Sequence, residues 1–499
     1  MDMHKNQYNV LFACSELTPW VKTGGLADVS GSLPHALRRA GAQVKIVLPG
    51  YRTVLDQIDR PEYVCHLDLP LGPVAICCTS LAGTDVLLVT HPAFSNRNGN
   101  PYMSDDDRAW PDNPYRFALF SQAIAEIGLN RANLDWQPDI VHCNDWQTGL
   151  APALLSLSHQ RPATVFTIHN LAYQGNILYN AYRDLNLPDS LFHTDGLEFW
   201  GQASFIKGGL AYADRVNTVS PGYASEIKTM EYGSGMDGML NSRGDRVSGI
   251  LNGIDEEEWN PATDPYLKQN YTVDSLELKT ENKIALQQRM KLPADKDVPL
   301  LGSISRLAVQ KGIDILIDAI KAMPDDRFQL AILGAGETDL QSQLSELAER
   351  YPDKVAVRFG YDESLSRAIE AGSDIFVMPS RYEPCGLNQF YSLRYGTVPL
   401  VTRVGGLADT VFDVDSADTK PDQKNGIVIN EATTNHLVDG IRRALTTYED
   451  KKQWKALQRT GMRASYSWNR SASEYIALYA KAIGDNLNRM SVTRYASSH

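Results

Sequence analysis

Short, unbroken apolar runs alternate with helix-length segments along this chain, and they do so twice over. In the first half Tyr8–Cys14 (YNVLFAC), Gln43–Leu48, Asp85–Val89, Asp139–Cys143, Thr164–Ile168 and Arg215–Val219 read as strands. Runs without polar alternation suit parallel strands covered on both faces. Helical segments lie between them at Leu33–Ala40, Tyr115–Ile127 and Thr148–Ser158. The second half repeats the rhythm with Leu300–Ser305, Gln329–Leu333, Lys354–Phe359, Ile375–Met378 and Pro399–Thr402, and with helices near 313–322, 338–350, 363–371 and 434–447. This βα alternation predicts two doubly wound α/β units. The join at 252–297 is strand-poor, with a helix over about 279–291, and a last helical stretch, Ser473–Asn488, has no strand after it. The expected division is 1–249, 250–468 and a tail, 469–499, available to cross back onto the first unit.

Composition narrows the function. The 499 residues carry 48 basic and 60 acidic side chains, a net −12. That balance argues against nucleic acid or a membrane surface as partner, since both want a basic field. Six scattered cysteines without a CxxC pair make neither a disulfide framework nor a structural zinc site. The N-terminus MDMHKNQYNV has no secretory character, and the apolar stretch Leu69–Thr84 is too short and too rich in Pro and Gly to span a membrane. The expected address is the cytoplasm.

The chemistry-bearing residues cluster just after strands, where open parallel sheets bind ligands. Lys22-Thr23-Gly24-Gly25-Leu26-Ala27-Asp28 follows the first strand, and GGLAD recurs at 405–409. Paired glycines at a helix start suit an anion, and so does Lys22; a plain glycine turn beside a solvated lysine fits equally well. This loop is neither GxxxxGK[ST] nor GxGxxG, so a nucleoside triphosphatase or dinucleotide reading finds no support in it. Arg306 and Lys311 flank a loop after the first strand of the second unit, where a planar fork and a point charge suit a diphosphate. Arg381-Tyr382-Glu383-Pro384-Cys385-Gly386-Leu387 follows another strand and puts a carboxylate where it can accept bonds from sugar hydroxyls. Asp145 and His169 end consecutive strands and fall within reach of one small ligand. Tyr102 and Trp110 in a polar loop either stack on sugar rings or pin the loop. The pairs Asp105/Asp107 and Asp413/Asp415 are weak as metal sites, since both lie in charge-rich loops and offer two carboxylates each, and Arg306 and Lys311 already supply the charge a metal would bring.

At these residues the chain resembles the bacterial and plant-type glycogen/starch synthases. KTGGLADV (22–29), HCNDW (142–146), TIHN (167–170), NGID (252–255), SRLAVQKG (305–312), Gly360-Tyr361 and EPCGL (383–387) occur in that family's order, over almost the whole length. The resemblance implies a GT-B fold, α/β throughout. Two Rossmann-like doubly wound domains would face a central cleft, with the C-terminal helix crossing back to the first. It implies transfer of glucose from ADP-glucose to the non-reducing end of an α-1,4-glucan such as glycogen, with retention, and with neither metal nor cofactor. Carried over, Lys22, Gly24, Gly25, Asp28 and Asn170 touch the donor; Asp145 and His169 line the glucose pocket, the His169 carbonyl facing the anomeric carbon. Arg306 and Lys311 hold the diphosphate, and Glu383 with Cys385, Gly386 and Leu387 holds glucose hydroxyls. Asn252 and Tyr361 build the cleft from the second-domain side, and Tyr102 approaches donor or acceptor glucose.

Asn388 and Phe390 stand where the family usually has threonine and leucine, which bears on nucleotide preference rather than reaction class. Rival readings are a sucrose- or trehalose-type synthase, a glucan phosphorylase and a non-catalytic glucan-binding protein. Homo-oligomer formation is left open.

Overall fold

The computed structural model of the protein describes residues 8–104 and 108–496, with side chains as far as Ser491. The chain divides into two compact units, one reaching Gly253 and resuming at Trp468, the other Ile254–Ser467.

In the first unit the strands are β1 (Asn9–Ala13), β2 (Gln43–Pro49), β3 (Glu62–Leu69), β4 (Gly72–Leu81), β5 (Thr84–Thr90), β6 (Ile140–Asn144) and β7 (Ala163–Ile168). A small separate sheet comes next, from β8 (Asn176–Leu178), β9 (Glu198–Phe199) and β10 (Gln202–Ser204). Then β11 (Arg215–Thr218) and β12 (Val247–Gly249) rejoin the large sheet, whose order is β12-β11-β7-β6-β1-β2-β5-β4-β3. Its pairings are parallel except for β5 with β4 and β4 with β3. Strands β6 and β7 are buried at every residue, as their unbroken apolar runs require.

The second unit holds β13 (Leu300–Ile304), β14 (Gln329–Gly334), β15 (Val355–Phe359), β16 (Ile375–Met378), β17 (Val398–Thr402) and β18 (Ile427–Ile429). Their order, β15-β14-β13-β16-β17-β18, is parallel throughout. In each sheet the parallel strands grow to both sides of the first one, so that a switch point lies between β1 and β6 and between β13 and β16. At such a switch point the two flanking loops diverge and leave a crevice at the strand C-termini. The topology alone therefore picks out four loops: those after β1, β6, β13 and β16.

The last helix, Trp468–Ala496, belongs to the first unit, as the sequence pattern allowed. Trp468, Ala472, Tyr475, Leu478, Tyr479 and Ala482 enter that unit's core. Its tyrosines are anchored by polar partners: His142 Nδ1 lies 2.9 Å from the Tyr479 hydroxyl, and Asn217 Nδ2 donates to the Tyr475 hydroxyl at 3.0 Å. Burying each ring without wasting its hydroxyl makes the docking specific.

Two readings of the sequence need correction. The helix that opens at the paired glycines and the segment read from Leu33 are one helix, Gly25–Arg39, with Pro34 inside it. The stretch Leu69–Thr84, read as too short to span a membrane, is β4 with the turns that join it to β3 and β5. Pro70 lies in the turn before β4, Gly72 and Pro73 open β4 itself, and Ala82 and Gly83 both take positive φ (46° and 76°) in the tight turn before β5. Asn252, expected on the second-domain side, falls in the first unit: β12 ends three residues before it, and the last helix ties down Leu251 through Ser471 Oγ at 2.5 Å. The helix Lys451–Arg463 and the strands β12 and β18 were not foreseen. No helix among the described residues is long and apolar enough to cross a membrane.

Candidate active site

The loop after β1 is organised around a buried carboxylate. Glu16 Oε2 accepts from the backbone amides of Thr23 (2.7 Å) and Gly24 (3.0 Å), and Oε1 accepts from Thr23 Oγ1 (2.6 Å) and the Tyr102 hydroxyl (2.9 Å). Tyr102 in turn lies 2.7 Å from Ser15 Oγ, so its phenol end is a strut, and burial raises its pKa well above the ordinary value. The sequence reading anticipated loop-pinning as one of two roles for this tyrosine. Gly24 turns its amide inward to Glu16; on its outer side a Cβ would meet nothing within 4 Å. Gly24 and Gly25 are both exposed, and Lys22 pairs with Asp28 at 2.8 Å at the surface.

The loop after β6 begins with strain. Asp145 adopts φ 57°, ψ 178°, a region almost reserved for glycine and costing a side-chain-bearing residue about 1–3 kcal/mol. It is held there by Asp145 N to Thr167 O (2.9 Å) and by its own Oδ1, which accepts from the His169 amide at 2.7 Å and the Asn170 amide at 3.4 Å. Burial pushes the Asp145 carboxyl up to about 7, against the pull of these two amides. The imidazole of His169 is neutral, since burial lowers its pKa to about 3. Its tautomer follows from its neighbour: Asn144 Nδ2 donates to Ala13 O (3.0 Å), which turns Asn144 Oδ1 toward His169 Nε2 (2.9 Å), so Nε2 carries the proton. Asn170 closes an Asx turn, its Oδ1 accepting from Ala172 N at 3.1 Å. His142, at Nε2 2.7 Å from Thr167 Oγ1, is wholly buried and structural.

In the second unit the loops after β13 and β16 touch. Lys311 Nζ lies 2.6 Å from Glu383 Oε2, which also accepts from Ser380 Oγ at 3.1 Å; Glu383 is buried and Lys311 half-buried. Gly312, at φ 69°, permits this: a Cβ there would sit 2.1 Å from the Pro379 carbonyl. Arg306 is exposed and donates from Nη2 to Gln310 Oε1 at 3.1 Å. Arg381 braces the cationic loop, its amide donating to Gln310 O (2.9 Å) and its guanidinium forking onto Asp314 (2.8 and 2.7 Å). Cys385 is buried, Gly386 takes φ 72°, and Gln389 Nε2 donates to the carbonyls of both (2.9 and 3.2 Å). Leu387 leads into the helix Asn388–Arg394. The unusual Asn388 donates its amide to Ile304 O at 2.6 Å, fastening that helix start to the end of β13, and Phe390 is packed against Tyr466.

The repeated pentapeptide serves two purposes. At Gly24 the outer side is open. At Gly406 the Cys385 backbone lies where a Cβ would go (2.3–2.8 Å), and the amide donates to Glu383 O at 3.1 Å. The second copy is thus a close-packing wedge beneath the EPCGL loop.

The remaining candidates are placed as follows. Tyr361 is exposed, with its hydroxyl 2.5 Å from Glu363 Oε2. Asn252 is buried with Oδ1 lacking a hydrogen-bond partner among the described residues. Asp413 and Asp415 both bind Arg443 (2.8 and 2.6 Å) and serve as an ion-pair clamp, while Asp105/Asp107 lies outside the described residues. Among the described residues no group of three or more His, Cys, Asp or Glu is arranged to hold a metal. Sequence reasoning passed over Glu16 and Gln389: one carboxylate or amide near a strand end looks the same buried or solvated.

Two doubly wound units with carboxylates and cations at their switch points define a glycosyltransferase of the GT-B class. Known proteins agree. The starch synthase catalytic domain family matches residues 9–242, and glycosyl transferases group 1 matches 286–460. A glycogen synthase of Thioalkalivibrio sulfidiphilus is 50% identical over 476 residues, covering 94% of this chain and 99% of that protein. One from Cellvibrio japonicus is 50% identical over 477 residues, 95% and 99% of the two chains. The catalytic domain of starch synthase IV from Arabidopsis thaliana, solved bound to ADP and acarbose, is similar with a TM-score of 0.83 at 33% identity, covering 96% of this chain and 99% of that one. The chain belongs to the glycogen synthase family of glucosyltransferases.

Proposed function

We propose that the protein transfers the glucosyl group of ADP-glucose to the 4-hydroxyl at the non-reducing end of an α-1,4-glucan such as glycogen, with retention at C1 and release of ADP. The observation that carries this reading is the contact of Lys311 with Glu383 at the second unit's switch point, 2.6 Å apart, in a chain half identical to glycogen synthases. A cation and a sugar-binding carboxylate held on adjoining loops suit a glucose attached to a diphosphate. The starch synthase solved with ADP and acarbose supports both substrate classes.

In the reaction the bond from C1 to the diphosphate oxygen breaks, and its electron pair leaves on ADP. Arg306 and Lys311 take up that charge, already in place rather than recruited. Glu383 with Cys385, Gly386 and Leu387 holds the glucose hydroxyls. The acceptor oxygen bonds to C1 on the face the diphosphate leaves, and its proton passes to the departing phosphate oxygen. The His169 carbonyl and ionised Asp145 favour the transient positive charge at C1. Lys22, Asp28, Gly24, Gly25 and Asn170 receive the donor in the first unit, with Asn252, Tyr361 and Tyr102 at the margins. With two cations on the leaving group, the reaction needs neither metal nor cofactor. We place it in the cytoplasm, since all six cysteines are free, as a reducing compartment leaves them.

Nucleotide release with ADP-glucose or UDP-glucose, with and without glycogen, tests the reading. The expected result is glycogen-dependent ADP release. Release that needs fructose or another small acceptor instead overturns it.

A further inference from the structure

Glu16 has no place in the transfer steps, yet it is 4% exposed and has both oxygens filled by two donors each. Burying a carboxylate is costly and demands a compensating purpose. Burial does raise its pKa, with the hydrogen bonds from Thr23, Tyr102 and Gly24 opposing. What the four bonds join is informative: the end of β1, the Lys22–Gly25 loop and, through Tyr102, the segment beyond Asn100. The inward amides of Thr23 and Gly24 force the outer side of the loop to present Lys22, the side-chain-free Gly24 and the first turn of the helix Gly25–Arg39. No other side chain among the described residues is shown bonding to those two amides.

We infer that Glu16 is a positioning residue for the donor, holding the Lys22–Gly25 loop in its binding conformation before the nucleotide sugar arrives. The inference rests on the reading that this loop meets the donor. It makes a distinctive claim about chemistry: Glu16 acts through acceptor geometry and not through its charge. In Glu16→Gln the carbonyl can keep the two backbone amides while the new NH2 donates to the Thr23 and Tyr102 hydroxyls, which are free to turn and accept. In Glu16→Ala two buried amides lose their partner and the loop is released.

The test is steady-state kinetics with ADP-glucose and glycogen on Glu16→Ala, Glu16→Gln and Thr23→Val, with melting curves for each. Displacing a binding group by an ångström costs up to about 100-fold. We expect Glu16→Ala to raise the donor KM at least about tenfold and lower kcat, with the glycogen KM unchanged. Glu16→Gln should stay within about threefold of wild type, and Thr23→Val, which removes one of four bonds, should raise the donor KM about two- to fivefold. Glu16→Gln as damaged as Glu16→Ala overturns the geometric role, because charge would then be what matters. A Glu16→Ala enzyme that only melts earlier, with unchanged KM, overturns any role in binding. If Glu16→Ala does not fold, Thr23→Val decides alone, and an unchanged donor KM overturns the proposal. Lys22→Ala separates the two layers. If it raises the donor KM while the Glu16 variants do not, this inference fails and the loop reading stands; if none does, the loop reading itself fails.

Discussion

Lys311→Ala probes the second unit in two ways at once. It removes one of two cations proposed for the leaving diphosphate, and it strands Glu383, whose carboxylate otherwise accepts, among the described residues, from Ser380 Oγ at 3.1 Å. Breaking a buried pair by deleting one partner costs about 3–5 kcal/mol; because Lys311 is only half-buried, the low end, about 3 kcal/mol, applies. For a unit of about 200 residues that lowers the melting temperature by about 6–12 °C. Losing one preorganised charge from the transition state costs about 100- to 1000-fold in kcat. The two losses separate in the double variant Lys311→Ala/Glu383→Gln. With no carboxylate left to strand, most of the melting temperature returns, while kcat stays at or below that of Lys311→Ala. Differential scanning calorimetry and initial rates of ADP release at saturating glycogen supply the data. A double variant that recovered activity together with stability would refute the reasoning, since the lysine's role would then be to neutralise Glu383 and nothing more.

Other expectations follow from particular contacts. Asp145, raised to about 7 from an ordinary carboxyl near 3.8, stays protonated in the folded protein over a pH range where the unfolded chain has lost the proton. Its contribution to stability is therefore greatest below about pH 4 and declines as pH rises through 7. Activity runs the other way if the ionised form supports the cationic centre: kcat/KM should fall below about pH 7, and Asp145→Asn should be slower but flat across that window. A wild-type profile level from pH 5 to 8 would contradict this. Gly24→Ala should melt within about 0.5 kcal/mol of wild type yet raise the donor KM, whereas Gly406→Ala should cost about 1–3 kcal/mol or more, because its Cβ meets the Cys385 backbone. Equal melting temperatures would refute the assignment of separate roles to the two copies. Chelation with EDTA should leave ADP release unchanged, and loss of activity restored by a divalent cation would contradict the cation-pair mechanism.

Much of this was legible beforehand, and the reasons are physical. Parallel strands buried on both faces leave unbroken apolar runs, so β1, β6, β7, β13 and β16 could be read directly, and with them the four loops that matter. Strands β3 and β4 of the antiparallel meander were missed because both are only partly buried and their alternation is weak. Helix 25–39 was read in two pieces: a proline reads as a first-turn residue, and here Pro34 is buried mid-helix. Among the candidate site residues, Lys22, Arg306, Lys311 and Glu383 stand out in the sequence by residue type and position. Glu16 does not, since burial is a property of the fold and not of the letter E. The strain at Asp145 is equally silent in sequence, because nothing in HCNDW marks the aspartate as holding a positive φ.

The central claim is that Arg306 and Lys311 grip the leaving diphosphate. A crystal structure of the full chain with ADP-glucose or an unreactive analogue tests it most directly. The account predicts diphosphate oxygens within about 3 Å of the Arg306 guanidinium and Lys311 Nζ, at hydrogen-bond distance for charged pairs. A diphosphate bound elsewhere, with Arg306 still on Gln310 and Lys311 wholly engaged by Glu383, would contradict it.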